Sequence, residues 1–256
     1  MKAMIFAAGL GTRLRPLTDN MPKALVSVGG KSMLERVILN LIKYGFDDIT
    51  VNIHHFGGQI IDFLKANNNF GVTIHISDER DELLDTGGGI LKARHFLDGN
   101  EPFLVHNADI LTDLNLKDFY DYHLGNKADA TLLTANRVTA RYLLLDEANR
   151  LHGWINKNTG EIKPQGFVYE KDKYKEMAFG GIHILSPSIF PTLESYTDEH
   201  KFSIIPFYLA ACDKLNIYGY APEGYSWFDI GKIETLHQAE NWINQLLLSD
   251  KNFAKV

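Results

Sequence analysis

The run Met4-Ile5-Phe6-Ala7-Ala8, ending in Gly9-Leu10-Gly11, constrains the fold more than any other feature of the chain. Five successive apolar residues leave no polar face, so they read as a strand buried on both sides, the kind that occurs in parallel sheets covered by helices. The next segments alternate accordingly. Ser32 and Glu35 stand at capping-box spacing ahead of a helical face of Leu34, Val37, Ile38, Leu41 and Ile42, closed by Gly45. The pattern then predicts a strand over 49–53, a short helix over 59–65, a strand over 72–76 and a helix capped by Thr86. A further apolar strand over 102–105 stops at His106-Asn107-Ala108-Asp109.

The second half is less regular. Strands are expected over 130–134, 142–145, 151–155, 179–185 and 217–220, with helices from 116, over 187–193 and over 204–212. A last amphipathic helix carries Ile233, Leu236, Ala239, Ile243 and Leu246 on one face. Strands alternating with helices, without repeat or linker, predict one Rossmann-like α/β domain: a mixed, mainly parallel sheet flanked by helices with right-handed crossovers. Ligands of such sheets sit beyond the carboxyl ends of the strands, where both polar strand exits fall.

Composition narrows the function classes. The 26 Lys and Arg against 32 Asp and Glu give a net charge of -6, which argues against coating nucleic acid or an anionic membrane. The single Cys212 excludes an internal disulfide and suits a reducing compartment. The short run Ala3 to Ala8 lacks the form of a leader, and no apolar stretch is long enough to span a bilayer. A soluble cytoplasmic protein is the expectation.

The first strand exit reads Gly9-Leu10-Gly11-Thr12-Arg13-Leu14-Arg15-Pro16-Leu17-Thr18, with Pro22 and Lys23 soon after. Glycines let a backbone approach a polyphosphate and aim N–H groups at it; Arg13, Arg15 and Lys23 supply opposite charge. Through residue 31 the bases Lys2, Arg13, Arg15, Lys23 and Lys31 face one acid, Asp19, so this segment is positive within an acidic chain. Two familiar phosphate motifs fail. A dinucleotide fingerprint needs glycine where Leu14 stands, and a P-loop ending at Gly30-Lys31-Ser32 needs it at Leu25.

The string resembles the signature of sugar-1-phosphate nucleotidyltransferases, G-x-G-T-R-[LM]-x-P-x-T followed by P-K. Four later segments fall in that family's order: Thr86-Gly87-Gly88-Gly89, Asn107-Ala108-Asp109, Phe179-Gly180-Gly181 and Trp227-Phe228-Asp229-Ile230-Gly231. The resemblance covers nearly the whole chain. Within the family, its shortness and triple glycine are similar to the N-acetylmuramate-1-phosphate uridylyltransferases. It implies the nucleotide-diphospho-sugar transferase fold, with a nucleotide-binding half over 1–112, a sugar-binding half over 113–231 and a C-terminal helix over 232–249.

The implied reaction is in-line attack of a sugar 1-phosphate on the α-phosphorus of a nucleoside triphosphate, releasing pyrophosphate. Such a displacement needs alignment and charge neutralisation rather than a protein nucleophile. By resemblance, Arg13 and Lys23 are catalytic: Arg13 clamps the triphosphate, and Lys23 bridges the two reacting phosphates. Ala7, Ala8, Gly9, Gly11, Thr12, Arg13, Asp85, Gly87 and Gly88 would bind the nucleotide, and Asn107 and Gly181 the sugar. Asp109 and Asp229 would hold Mg²⁺, which takes one or two carboxylates plus phosphate oxygens. Asp85 suits either the imino proton of uracil or the paired donors of guanine, so uridine rests on the resemblance. Ala108 and Ala24 replace residues more frequent in the family, Gly and Pro. Glu170-Lys171 matches only part of a Glu-Lys-Pro sugar signature.

Other readings stay open. They are mannose-1-phosphate guanylyltransfer, glucose-1-phosphate thymidylyl- or uridylyltransfer, a silent binding subunit, and phosphocholine cytidylyltransfer with a cage from Trp154, Trp227 or Tyr225.

Overall fold

The computed structural model describes residues 1–249. In chain order the strands that matter here are β1 (Lys2–Phe6), β2 (Asp48–Ile53), β3 (Thr73–Asp78), β4 (Phe103–Asn107), β5 (Ile110–Thr112) and β6 (Ala130–Ala135). They continue as β7 (Arg141–Leu145), β8 (Leu151–Asn156), β9 (Ile162–Lys163), β10 (Lys175–Leu185), β11 (Ile217–Tyr220) and β12 (Trp227–Asp229). The main helices are α1 (Met33–Lys43), α2 (Gly57–Ala66), α3 (Asp85–Lys92), α4 (Leu116–Gly125), α5 (Ile204–Ala211) and α6 (Ile233–Ser249).

One sheet of ten strands runs β9-β8-β7-β10-β4-β1-β2-β3, with β6 paired to β10 and β11 to β6. The strands β4, β1, β2 and β3 are mutually parallel, as the apolar run predicts. β10 joins them antiparallel against β4 and spans two partners, β7 at its start and β6 further on. A register shift in the β6 pairing falls between Phe179 and His183, at the Gly180-Gly181 pair.

Alternation along β1 shows why it is apolar throughout. Ala3 and Ile5 enter a core with Leu34, Ile38 and Leu41 of α1 and Ile60 of α2, whereas Met4 enters the opposite core with Ile90 of α3 and Phe207 of α5. Each such fully buried large apolar side chain contributes about 1.5–3 kcal/mol. α1 starts as its capping spacing predicts, Ser32 Oγ accepting from the Glu35 N–H at 3.1 Å. Thr86 does not cap α3. Its hydroxyl accepts from the Ile204 N–H at 2.9 Å, tying α3 to the start of α5.

A third core matters most for the site. Leu14, Val26 and Val28 of the signature loop pack with Met33, Leu111, Ile230, Leu236, Ala239 and Ile243. α6 therefore anchors the C-terminal segment on the N-terminal loop. Its apolar face is narrower than its sequence suggests, since Ile233 and Leu246 at the two ends are 37% and 45% exposed. Among the described residues no helix is long and apolar enough to cross a membrane.

Candidate active site

The chain leaves β1 through Ala7 and Ala8, both buried, whose N–H groups donate to Asn52 Oδ1 of β2 at 2.7 and 3.3 Å. Gly9 has open space where a side chain would stand, and Gly11 turns the chain at φ +66. A Cβ on Gly11 would sit 2.9 Å from Lys23 Cβ and 3.0 Å from Thr18 Cγ2, so the turn and the approach both require glycine. Thr18 Oγ1 and the Leu14 N–H donate to the Gly11 carbonyl and close the loop. Thr12–Leu14 then forms a 3₁₀ turn with Leu14 buried and the Thr12 and Arg13 side chains outside.

A cleft of about 280 Å³ opens here, at the carboxyl ends of the four parallel strands. Its lining includes Phe6 to Gly9, Lys23, Asn52, Glu79, Asp85, Thr86, Asn107, Asp109 and Lys201.

Folding brings the two distant aspartates together. β5 and β12 pair antiparallel with Asp229 opposite Ile110, and the Ile230 N–H donates to the Asp109 carbonyl at 2.8 Å. Lys23 Nζ forms a close ion pair with Asp109 Oδ2. Burial, then the Asp109 charge, pushes the Asp229 carboxyl above its ordinary value, while Lys23, Arg13 and Arg137 pull it down. Arg13 reaches the same place: a Cβ on Gly231 would lie 2.7 Å from Arg13 Nη2 and 2.9 Å from Asp229 Oδ1. Two early cations, a mid-chain acid and a late acid thus share one locus.

Among the described residues no three His, Cys, Asp or Glu side chains form a metal cage. The two-aspartate set nonetheless suits a hard divalent cation, because Asp229 Oδ1 is buried with no hydrogen-bond partner beside a second carboxylate. An oxygen left so in a protein interior calls for a cation or a donor.

Other sequence-predicted residues are placed differently. Gly87 and Gly88 are buried under the 200–202 segment: both N–H groups donate to the Phe202 carbonyl, at 2.8 and 3.2 Å. A Cβ on Gly88 would lie 2.2 Å from the His200 carbonyl oxygen. These glycines serve close packing in this conformation, and it is Asp85 and Thr86 that border the cleft. Asp85 takes φ 60, and its Oδ1 accepts from the Thr86 N–H at 2.6 Å. Asn107 lines the cleft, and Gly181, at φ +73, lets its Nδ2 come within 3.0 Å of where a Cβ would be. Arg15 is spent on Asp19 at the surface, 3.4 Å away. Glu170 pairs with Lys173 at 2.7 Å in an exposed turn, and neither Glu170 nor Lys171 lines the cleft.

Sequence reading missed Asn52 and Glu79. Asn52 Nδ2 donates to Glu79 Oε1 at 2.8 Å, and Glu79 Oε2 accepts from the Leu84 N–H at 3.1 Å. The pair ties the signature loop to the start of α3 from within the protein, Glu79 being fully buried. A signal existed: a polar residue inside an apolar strand, and an acid just beyond the next one. Lys201 carried none, because a loop far along the chain brings it to the cleft.

The family model described as nucleotidyl transferase matches residues 2–245. The chain is 32% identical to an N-acetylmuramate alpha-1-phosphate uridylyltransferase of Caulobacter vibrioides, over 93% of this chain and 95% of that one. It is 31% identical to the enzyme of that name from Neisseria meningitidis, over 94% and 97%. A mannose-1-phosphate guanyltransferase of Yarrowia lipolytica is 31% identical over 91% of this chain, which spans 61% of that protein. A putative glucose-1-phosphate thymidylyltransferase from Bacillus anthracis, solved in complex with a sucrose, shares the fold with a TM-score of 0.78 at 18% identity, over 94% of both chains. With its signature loop, its carboxyl-end cleft and these relatives, the chain belongs to the nucleotidyl transferase family, as a sugar-1-phosphate nucleotidyltransferase.

Proposed function

We propose that the protein transfers UMP from UTP to N-acetylmuramate 1-phosphate, releasing pyrophosphate. One observation carries the chemistry: Arg13, Lys23, Asp109 and Asp229, far apart in the chain, meet beside one cleft. A sugar-phosphate oxygen, already ionised, attacks the α-phosphorus; the bond to the β-phosphate oxygen breaks and pyrophosphate leaves with the electron pair. No protein nucleophile takes part. The reaction demands alignment of two anions that repel each other and neutralisation of the charge developing between them.

Lys23 stands at the inner wall beside Asp109 and aligns the sugar phosphate with the α-phosphate. Arg13, on the outer turn, holds the departing pyrophosphate. The N–H groups of Gly9 and Gly11, with Thr12, contact the triphosphate, while Ala7 and Ala8 are fixed by Asn52 and form the floor. Asp85 accepts from the base edge, and Asn107, braced by Gly181, binds the sugar. Asp109 and Asp229 would hold Mg²⁺, which would neutralise α-phosphate charge; enzymes of this family generally use a divalent metal. The two uridylyltransferases that align along nearly their whole length support the choice of base and sugar.

The test is pyrophosphate release with Mg²⁺, each of the four ribonucleoside triphosphates and dTTP, against a panel of sugar 1-phosphates. UTP with N-acetylmuramate 1-phosphate should give the highest kcat/KM. A higher value for GTP with mannose 1-phosphate would replace this reading with guanylyltransfer.

A further inference from the structure

A second cleft, of about 490 Å³, lies between β7, β8 and the start of α5. It adjoins the first. Lys201 lines one and Ser203 the other, and Phe179, which lines the second, precedes the Gly180 whose carbonyl accepts from Trp227 Nε1 at 2.8 Å. Leu143, Trp154 and Phe179 give this second cleft an apolar floor, wide enough for a sugar ring.

Its charges are unbalanced. Lys163 is matched by Glu161 at 3.1 Å and lies over the Trp154 ring, but among the described residues neither Arg137 nor Arg141 forms an ion pair, and the one carboxylate charge that Arg137 feels is that of Asp229, from beyond contact distance. Arg137 donates through Nη2 to the Phe179 carbonyl at 2.7 Å and lies 4.3 Å from the ring centroid of Trp227, on the strand that carries Asp229. Its Nε is buried with no acceptor. Burial lowers the pKa of its guanidinium and the Asp229 charge offsets only part of that, while the buried Nε still lacks an acceptor. Arg141 projects from β7 at the rim of the same cleft. Two forked guanidinium groups beside an apolar floor match a carboxylate in geometry and charge. In the proposed function the reacting phosphates sit at the first cleft, lined by Lys23 and with Arg13 beside it, and so do not fill this role.

We infer that Arg137 and Arg141 bind a carboxylate carried on the sugar ring of the acceptor, separate from its 1-phosphate, and so select acidic sugar phosphates over neutral ones. The inference rests on the proposed function and deepens it.

N-acetylmuramate 1-phosphate and N-acetylglucosamine 1-phosphate differ only by a lactyl ether bearing a carboxylate, so the ratio of their kcat/KM values with UTP isolates this group. Wild type should favour the acidic sugar. Arg141→Gln, at an exposed position, should lower the ratio about 10- to 100-fold, through KM for the acidic sugar rather than kcat, and Arg141→Lys should restore part of it. A wild-type preference for the acid that Arg141→Gln leaves unmoved overturns the inference and leaves the proposed function standing. A wild type that turns over both sugars equally also overturns it. Turnover of neither sugar, with activity on another sugar phosphate, overturns both readings.

Discussion

Lowering the pH from 7.5 to 5.0 should cost this fold about 6 kcal/mol through three buried histidines. His106 and His183 lie on the adjacent strands β4 and β10, and burial holds them at about 4 and about 3, against an ordinary 6.5; the His106 neighbour lowers His183 further. His123 of α4 is likewise held at about 4 by burial. Its ring bridges Thr131 Oγ1 at 2.8 Å and Ser186 Oγ at 2.9 Å. Ser186 donates its own proton to the Ala128 carbonyl, so His123 Nε2 donates to Ser186 and Nδ1 accepts from Thr131. A second ring proton would destroy that arrangement.

All three values are lowered, and this sets the sign. Between 6.5 and about 4 the unfolded chain binds protons that the native protein refuses, so stability falls as pH drops through that window, and it levels off only below about 3, where His183 also protonates in the native state. At pH 5 each group costs about 2 kcal/mol, and in mid-window the slope approaches about 4 kcal/mol per pH unit. For a domain stabilised by about 5–15 kcal/mol, this is a large share. Urea midpoints at pH 7.5 and 5.0 measure it, and His123→Gln, which keeps one donor and one acceptor, should remove about a third of the slope. A change under about 1 kcal/mol, or a slope untouched by His123→Gln, would refute the reasoning.

At the site, Arg13→Ala and Lys23→Ala should each lower kcat about 100-fold or more, as expected when a preorganised cation is removed from developing charge; steady-state pyrophosphate release reads it. Near-normal turnover would detach them from the chemistry. Asp229→Asn should abolish metal-dependent turnover yet raise the Tm, because it removes a buried carboxylate held beside Asp109 without a hydrogen-bond partner for Oδ1. A lower Tm would show that the acid stabilises the fold. Gly11→Ala should cost about 1–2 kcal/mol from its left-handed backbone alone, and more from contact with Lys23 Cβ, with a raised KM for the nucleotide. Unchanged urea unfolding would contradict the strain.

Local pattern was enough to specify the parallel core of the sheet, the glycine turn at its exit and the cations just after it. An unbroken apolar run has only a doubly covered strand to occupy, and Gly11 marks a backbone that side chains rarely tolerate. Resemblance, not spacing, pointed to Asp229. Folding set it beside Asp109, through the short β5–β12 pairing and a core that locks α6 onto the signature loop. Folding likewise decided that Arg15 pairs with Asp19 at the surface while Arg137, remote from the signature in the chain, donates to the Phe179 carbonyl beside the site and feels the Asp229 charge. Thr86, Gly87 and Gly88 show the limit most plainly. Their residue types announce a cap and a ligand-facing turn, yet their hydrogen bonds go to residues 202 and 204. A polar group's type is written in the chain, but its partner is whichever donor or acceptor packing delivers, and for these three residues that partner comes from more than a hundred residues away.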